Sequence, residues 1–216
     1  GALIVSTSLY DGFHEQMISS SVRIFMGHLQ IHARGFHHQP TVEKCFNGLP
    51  EKIFQENRHI IAFSQRVKFQ ALASTPLNSQ GVMVVGIEPE REEKVTIIKK
   101  TVISGNYLTS PIKASRNCLV GEQLASNLQI QLGEKLVIMS QAFDGSIAAD
   151  AFRVIGICRT GNPEIDRSFI WIPLNYAQKF LVYGDKISEI VLLLDNSENV
   201  STVQQYLEGK VDLSKI

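Results

Sequence analysis

Between His59 and Ala73 the apolar residues fall on odd positions, Ile61, Phe63, Val67, Phe69 and Ala71, broken only by Gln65, while Ser64, Arg66, Lys68 and Gln70 take even ones. A period of two is the signature of a half-buried strand, so a long strand with an apolar inner and a polar outer face is expected here. Pro76-Leu77-Asn78-Ser79 then reads as the turn of a hairpin whose second strand runs from Val82 to Ile87. Upstream, Leu9, Phe13 and Met17 recur every fourth residue and Ile18, Val22 and Phe25 extend the stripe, which predicts a helix ending at Gly27. The wholly apolar start Gly1-Ala2-Leu3-Ile4-Val5 fits either the cut end of a membrane helix or a buried N-terminal element, and it lacks the marks of a signal peptide. His28 to Arg34 alternates, with Leu29, Ile31 and Ala33 opposite His28, Gln30 and His32, and predicts a strand. Past the loop Gly35 to Pro40, residues Val42, Cys45, Phe46, Leu49 and Ile53 mark a helix capped by Thr41 and disturbed at Gly48 to Pro50.

The middle of the chain changes character. Short strands are expected at Lys135 to Ser140, Ala151 to Cys158 and Ser168 to Ile172, with a short helix at Glu122 to Leu128 and turn signals at Gly105-Asn106, Gly133-Glu134, Asp144-Gly145 and Gly161-Asn162-Pro163. A helix follows Pro173, a strand spans Ile187 to Asp195, and Asn196-Ser197 caps a last helix ended by Gly209. These are the pieces of an α+β fold: one layer, split in sequence, interrupted by a β-rich insert. The expected division is residues 1–26 as the N-terminal helix, residues 27–98 with 187–216 as the discontinuous α+β subdomain, and residues 99–186 as the β-rich one.

Lys plus Arg equals Asp plus Glu at 21 each, so no net charge recruits nucleic acid. Cys45, Cys118 and Cys158 stand apart among apolar neighbours and read as buried small hydrophobes. His28, His32, His37 and His38 are close in sequence, but His28 and His32 would stand about 13 Å apart on one strand, too far to share a metal ion. The carboxylates of Glu88-Pro89-Glu90-Arg91-Glu92-Glu93 and of Glu164-Ile165-Asp166-Arg167 read as solvated loops rather than an acid/base pair. No nucleophile elbow, zinc pair, Walker loop or dinucleotide fingerprint occurs. The residues therefore nominate no catalytic, cofactor-binding or metal-ligating group.

Several segments, taken in order, resemble one family. Leu9-Tyr10-Asp11-Gly12-Phe13 is similar to the segment in which the first transmembrane helix of lipoprotein-releasing (LolC/LolE-type) ABC-transporter permeases leaves the membrane. Val84-Val85-Gly86-Ile87-Glu88-Pro89, Cys118-Leu119-Val120-Gly121-Glu122-Gln123-Leu124-Ala125, Leu128-x-Ile130-x-x-Gly133-Glu134, Phe152-Arg153-Val154-Ile155-Gly156-Ile157, Asp166, Ile172-Pro173-Leu174 and Ala177-Gln178 continue the likeness. The chain thus resembles the periplasmic core domain shared by lipoprotein-releasing and MacB-type permeases. That resemblance implies a membrane-proximal, porter-like α+β subdomain interrupted by a sabre-like β-rich one, with residues 1–26 the end of the first membrane helix and its periplasmic extension. It implies a non-catalytic domain on the periplasmic side of the bacterial inner membrane, anchored by spans of about 20 apolar residues outside this chain. Its partners would be a cognate cytoplasmic ABC ATPase, a second permease copy or homologue, and a lipoprotein substrate. An FtsX-like module that activates an external partner without transport is the alternative. Carrier-binding members have an extended loop where this chain has the short link Gln141 to Asp150. Phe143 and Ile147, flanking Asp144-Gly145, are the expected partner-contact residues, with weak carrier binding at most.

Overall fold

The structure is a computed structural model that describes residues 27–33, 41–109 and 116–210. The helix expected before Gly27, together with His37 and His38, lies outside these residues. In chain order the elements are strand β1 (Leu29–His32), β2 (Phe46–Asn47), helix α1 (Glu51–Gln55), β3 (Ile60–Ser74), β4 (Ser79–Ile87), α2 (Pro89–Val95), β5 (Val102–Gly105), β6 (Asn117–Gly121), α3 (Glu122–Leu128), β7 (Lys135–Gln141), β8 (Ile147–Cys158), α4 (Pro163–Ser168), β9 (Phe169–Pro173), α5 (Leu174–Phe180), β10 (Lys186–Ile187), β11 (Glu189–Leu194) and α6 (Val200–Glu208). No helix among the described residues is long and apolar enough to cross a membrane.

The long strand β3 is the spine. Residues Ile60 to Arg66 pair with β11, which pairs in turn with β1. Residues Arg66 to Ser74 pair with β4 through the expected hairpin, and Leu72 to Ser74 also pair with β7 on the opposite edge. From β4 the ladder runs through β9, β6 and β8, and β8 is the hairpin partner of β7. The pairings β3-β4-β9-β6-β8-β7 therefore return to β3 and close a ring, which leaves few strand edges open. The two strand groups that the chain builds in different places share a single strand, and Arg66 sits where it passes from one to the other.

Inside the ring, Phe69, Val84, Val120, Ile138, Phe152 and Ile172 pack with Leu124 and Leu128 of α3 and with Tyr176, Ala177 and Phe180 of α5. Outside it, Val85, Ile87, Leu119 and Trp171 form a second cluster with Ile98, Leu108 and Ile165. Strands covered on both faces read as unbroken apolar runs, and Cys118-Leu119-Val120 and Ile170-Trp171-Ile172 are such runs.

Several local expectations are corrected. The segment from Thr41 is not a helix: Phe46–Asn47 is the strand β2 paired with β10, and helix α1 begins only after Pro50. Pro50 sits in extended backbone before the first helical residue, where its missing N–H is harmless, whereas inside a helix it would break one. Glu88 to Glu93 are not a solvated loop: Pro89 to Glu93 lie in α2, with Glu88 just before it and Glu92 buried. Glu164 to Arg167 lie in α4, where Asn162 caps the first turn and Asp166 is buried, accepting hydrogen bonds from the Thr160 amide and hydroxyl at 2.8 Å each. The strand expected from Ile187 breaks at Ser188, whose Oγ receives the Lys68 amide at 2.7 Å. Ile61, expected inside, is 62% exposed, because the cover over β3 begins further along.

Candidate functional site

The β7–β8 turn holds the residues expected to meet a partner. The Ala142 amide donates to the Ser146 carbonyl at 2.8 Å, and Gly145 adopts φ +83°, a left-handed conformation that glycine takes without a Cβ clash. Asp144 Oδ1 accepts from the Ser146 hydroxyl at 2.6 Å and amide at 3.0 Å, and these bonds hold its carboxyl below the ordinary range. The Phe143 amide donates to the Leu181 carbonyl at 2.9 Å, its ring stands edge-on to Tyr183, and Lys186 Nζ lies 4.0 Å above the ring centre. Phe143 thus rests on its own domain by one side and stays 38% exposed. Ile147, 77% exposed, points outward.

Ile147 belongs to a larger feature. Along β7, Leu136 and Ile138 enter the ring while Val137 and Met139 are exposed on its outer surface. Register places Leu72 and Ala149 beside Met139, Ser74 and Ala151 beside Val137, Ile147 beside Gln141, and Arg153 beside Lys135. Directly opposed residues share a face, so these side chains form one apolar surface with two cations at one end. A groove of about 630 Å³ adjoins it on the β4 side and shares Leu72, Met139 and Gln141 with it, with Val42, Gly81 and Met83 on its far wall. The same outer surface is covered elsewhere by Ile98, Leu108 and Ile165. The strand around Met139 was legible in sequence; its two-sided apolar run Leu136-Val137-Ile138-Met139 is the signal for an apolar outer face.

At the junction on β3 lies a buried charge cluster. The Arg66 guanidinium is fully buried and forks onto Glu92 of α2, Nη2 to Oε1 at 2.5 Å and Nε to Oε2 at 3.1 Å, while Nη1 reaches Glu189 of β11 at 2.8 Å. Glu92 also accepts from Ser64 Oγ at 2.7 Å and Thr96 Oγ1 at 2.9 Å. Glu189 pairs with Lys68, and His32 Nδ1 lies 3.7 Å from it. Burial opposes every charge here, yet Glu92 and Glu189 raise the Arg66 pKa and Lys68 and Arg66 lower that of Glu189. Burial, aided by Arg66, lowers that of Lys68 against the pull of Glu189. The sequence reads Glu92 as part of a solvated loop and places Arg66 and Lys68 on the polar face of the strand. The missed signal is that Arg66 and Lys68 face the same way as Ile87 and Val85 of β4, a surface too apolar to be left bare.

His28 Nδ1 accepts from the Leu194 amide at 3.0 Å, and no group of three or more metal-ligating side chains occurs among the described residues. Burial pushes the thiols of Cys118 and Cys158 up, the latter to about 12, which makes them poor nucleophiles. Cys45 is only half-buried.

The described residues thus hold a closed strand ring with an exposed apolar patch on its outer surface and a buried charge cluster at the junction on β3. The chain belongs to the MacB-like periplasmic core domain family, whose model matches residues 1–210. It is 28% identical over 200 residues to the lipoprotein-releasing system transmembrane protein LolE of Haemophilus influenzae, covering 90% of this chain and 47% of that protein. It is 25% identical over 154 residues to LolC of Neisseria meningitidis serogroup B, covering 68% of this chain and 36% of the relative. The chain thus spans half or less of the length of these relatives. The periplasmic region of MacB from Actinobacillus actinomycetemcomitans shares the fold at TM-score 0.57 and 14% identity, over 86% of this chain and 83% of that one. So does the extracellular domain of the ABC-type transporter YknZ from Gram-positive bacteria, at TM-score 0.56 and 13% identity over 84% and 95%. The α+β expectation and the resemblance are both met, and the chain is an extracytoplasmic domain of an ABC-transporter permease, a family of domains that are not themselves enzymes.

Proposed function

We propose that this domain serves a permease of lipoprotein release or a closely related export, passing motion driven by a separate cytoplasmic ATPase to a hydrophobic substrate outside the membrane. The observation that carries this reading is the Arg66 cluster. Where β3 passes from β11 to the ring, a buried guanidinium ties it at once to α2 and to β11, so a displacement of the β1-β11 layer moves the ring as a body. The porter-like part is residues 27–98 with 187–216 and the sabre-like part residues 99–186, with β3 as their shared spine. Membrane spans outside this chain anchor it, and a second permease copy or homologue completes the transporter.

The test is ATP-dependent release of a labelled lipoprotein from vesicles holding the full-length protein and its ATPase. Arg66→Met should keep ATP hydrolysis and lose most release. Undiminished ATPase with no release by the unaltered protein, together with activation of an added cell-wall hydrolase, would favour the FtsX-like alternative. With Phe143 resting partly on Tyr183 and Asp144 bonded to Ser146, the β7–β8 turn offers a soluble carrier only the exposed parts of Phe143 and Ile147 as apolar contacts. Isolated domain should bind such a carrier weakly; sub-micromolar binding lost on Phe143→Ala with Ile147→Ala contradicts that.

A further inference from the structure

We propose that the outer face of the β7–β8 hairpin docks an amphipathic helix from a partner protein, lying along β7 with an acidic side chain over Lys135 and Arg153. The inference is independent of what the permease moves.

Four observations select this occupant. The first is chemistry: Leu72, Val137, Met139 and Ile147 are exposed together, on a surface whose other half is covered by the chain itself. The thioethers of Met139 and half-buried Met83 adapt to varied partners, and methionine is over-used at such surfaces. The second is size. Lys135 to Gln141 extend about 20 Å, and the three strands β3, β7 and β8 span about 10 Å. A helix of about 13 residues is 20 Å long and 10–12 Å wide, which matches that face, whereas a single hydrocarbon chain is much narrower. The footprint is also well below the roughly 800 Å² per partner that a globular interface or a stable second copy needs.

The third is backbone availability. Val137 to Met139 of β7 are paired with β3 on one edge and with β8 on the other, so a peptide cannot add as a further strand there. Recognition has to come from side chains, as it does when an apolar helix face enters a groove. The fourth is charge. The outward positions of β7 and β8 carry Lys135 and Arg153, side by side, and no carboxylate. Arg153 Nη1 donates to the Gly133 carbonyl at 2.8 Å, and the nearby Glu134 accepts from the Gln131 amide at 2.7 Å instead of pairing with the two cations. Two adjacent positive charges at one end of an apolar face favour an anionic end on the occupant and set its direction.

The probes are two 18-residue synthetic helices with the same leucine face, one with a glutamate polar face and one with lysine, labelled with fluorescein and titrated with the 216-residue chain by anisotropy. The glutamate peptide should bind in the micromolar range and the lysine peptide at least tenfold more weakly. Leu72→Glu with Met139→Glu should weaken the glutamate peptide at least tenfold, and Lys135→Glu with Arg153→Glu should reverse the preference. All four side chains point outward, and unchanged far-UV circular dichroism checks that the variants fold. Equal binding of both peptides, no binding of either, or a preference unmoved by charge reversal overturns the proposal. Two other results also overturn it. Dodecyl phosphate that binds this face and displaces the glutamate peptide would mark a lipid site, and self-association in sedimentation that Met139→Glu abolishes would mark a second copy.

Discussion

Arg66 shows what a single side chain does here. Its guanidinium bridges two buried carboxylates and is the only cation paired with Glu92 among the described residues, whereas Glu189 also has Lys68. Replacing it by methionine should therefore cost about 3–5 kcal/mol, read as a lowered urea midpoint, since removing one member of a buried ion pair strands the other. Lysine should rescue little, because an ammonium cannot reproduce the fork onto Glu92. A midpoint unchanged in Arg66→Met would show that the cluster is not holding the junction. Asp195 gives a pH signature at the other end of β3. His59 Nδ1 at 2.9 Å, with help from Asn199 Nδ2 at 2.9 Å, depresses its carboxyl from the ordinary 3.8 to about 2. A folded-state pKa below the unfolded one means that the stability is fully present above about 3.8 and is lost as pH falls through about 2. Asp195→Asn should therefore differ from the parent at pH 5 to 7 and converge with it near pH 2 in acid titrations followed by circular dichroism. Neither role was legible in the sequence: Arg66 sits at an even, apparently solvent-facing position, and Asp195 is 136 residues from His59.

At the scale of elements, the β3–β4 hairpin, α3 and the helix after Pro173 were legible because each rests on local signals: turn residues, period and a proline at the start. The segment from Thr41 was not, because Phe46 takes its conformation from Ile187, far along the chain. Gly86 is a second case of distant control. It lies in β4 facing α5, and a Cβ there would run into the Ala177 side chain. Gly86→Val should destabilise by about 1–3 kcal/mol through overpacking. Gly81→Val, on the same strand but with open space at its Cβ, should leave thermal stability nearly unchanged. Equal effects at the two positions would mean that strand propensity rather than the β4–α5 contact decides.

For the molecule as a whole, ring closure makes cooperativity the main expectation. β7 is hydrogen-bonded to both β3 and β8, so neither strand group can open without breaking a ladder of the other. Urea unfolding followed by fluorescence of buried Trp171 and by far-UV circular dichroism should give coincident transitions. Separated transitions would instead reveal two independently folding parts. The α+β class, the long strand and the ordered segments of the permease family were determined by the sequence alone, because period, turns and caps are set by neighbours within a few residues. Ring closure, the burial of Arg66 and Glu92, and the bare surface around Met139 were decided only by tertiary structure. Alternation along a strand says that it has two faces; what covers each face is supplied by residues tens to more than a hundred positions away, such as Glu92 and Glu189 over Arg66.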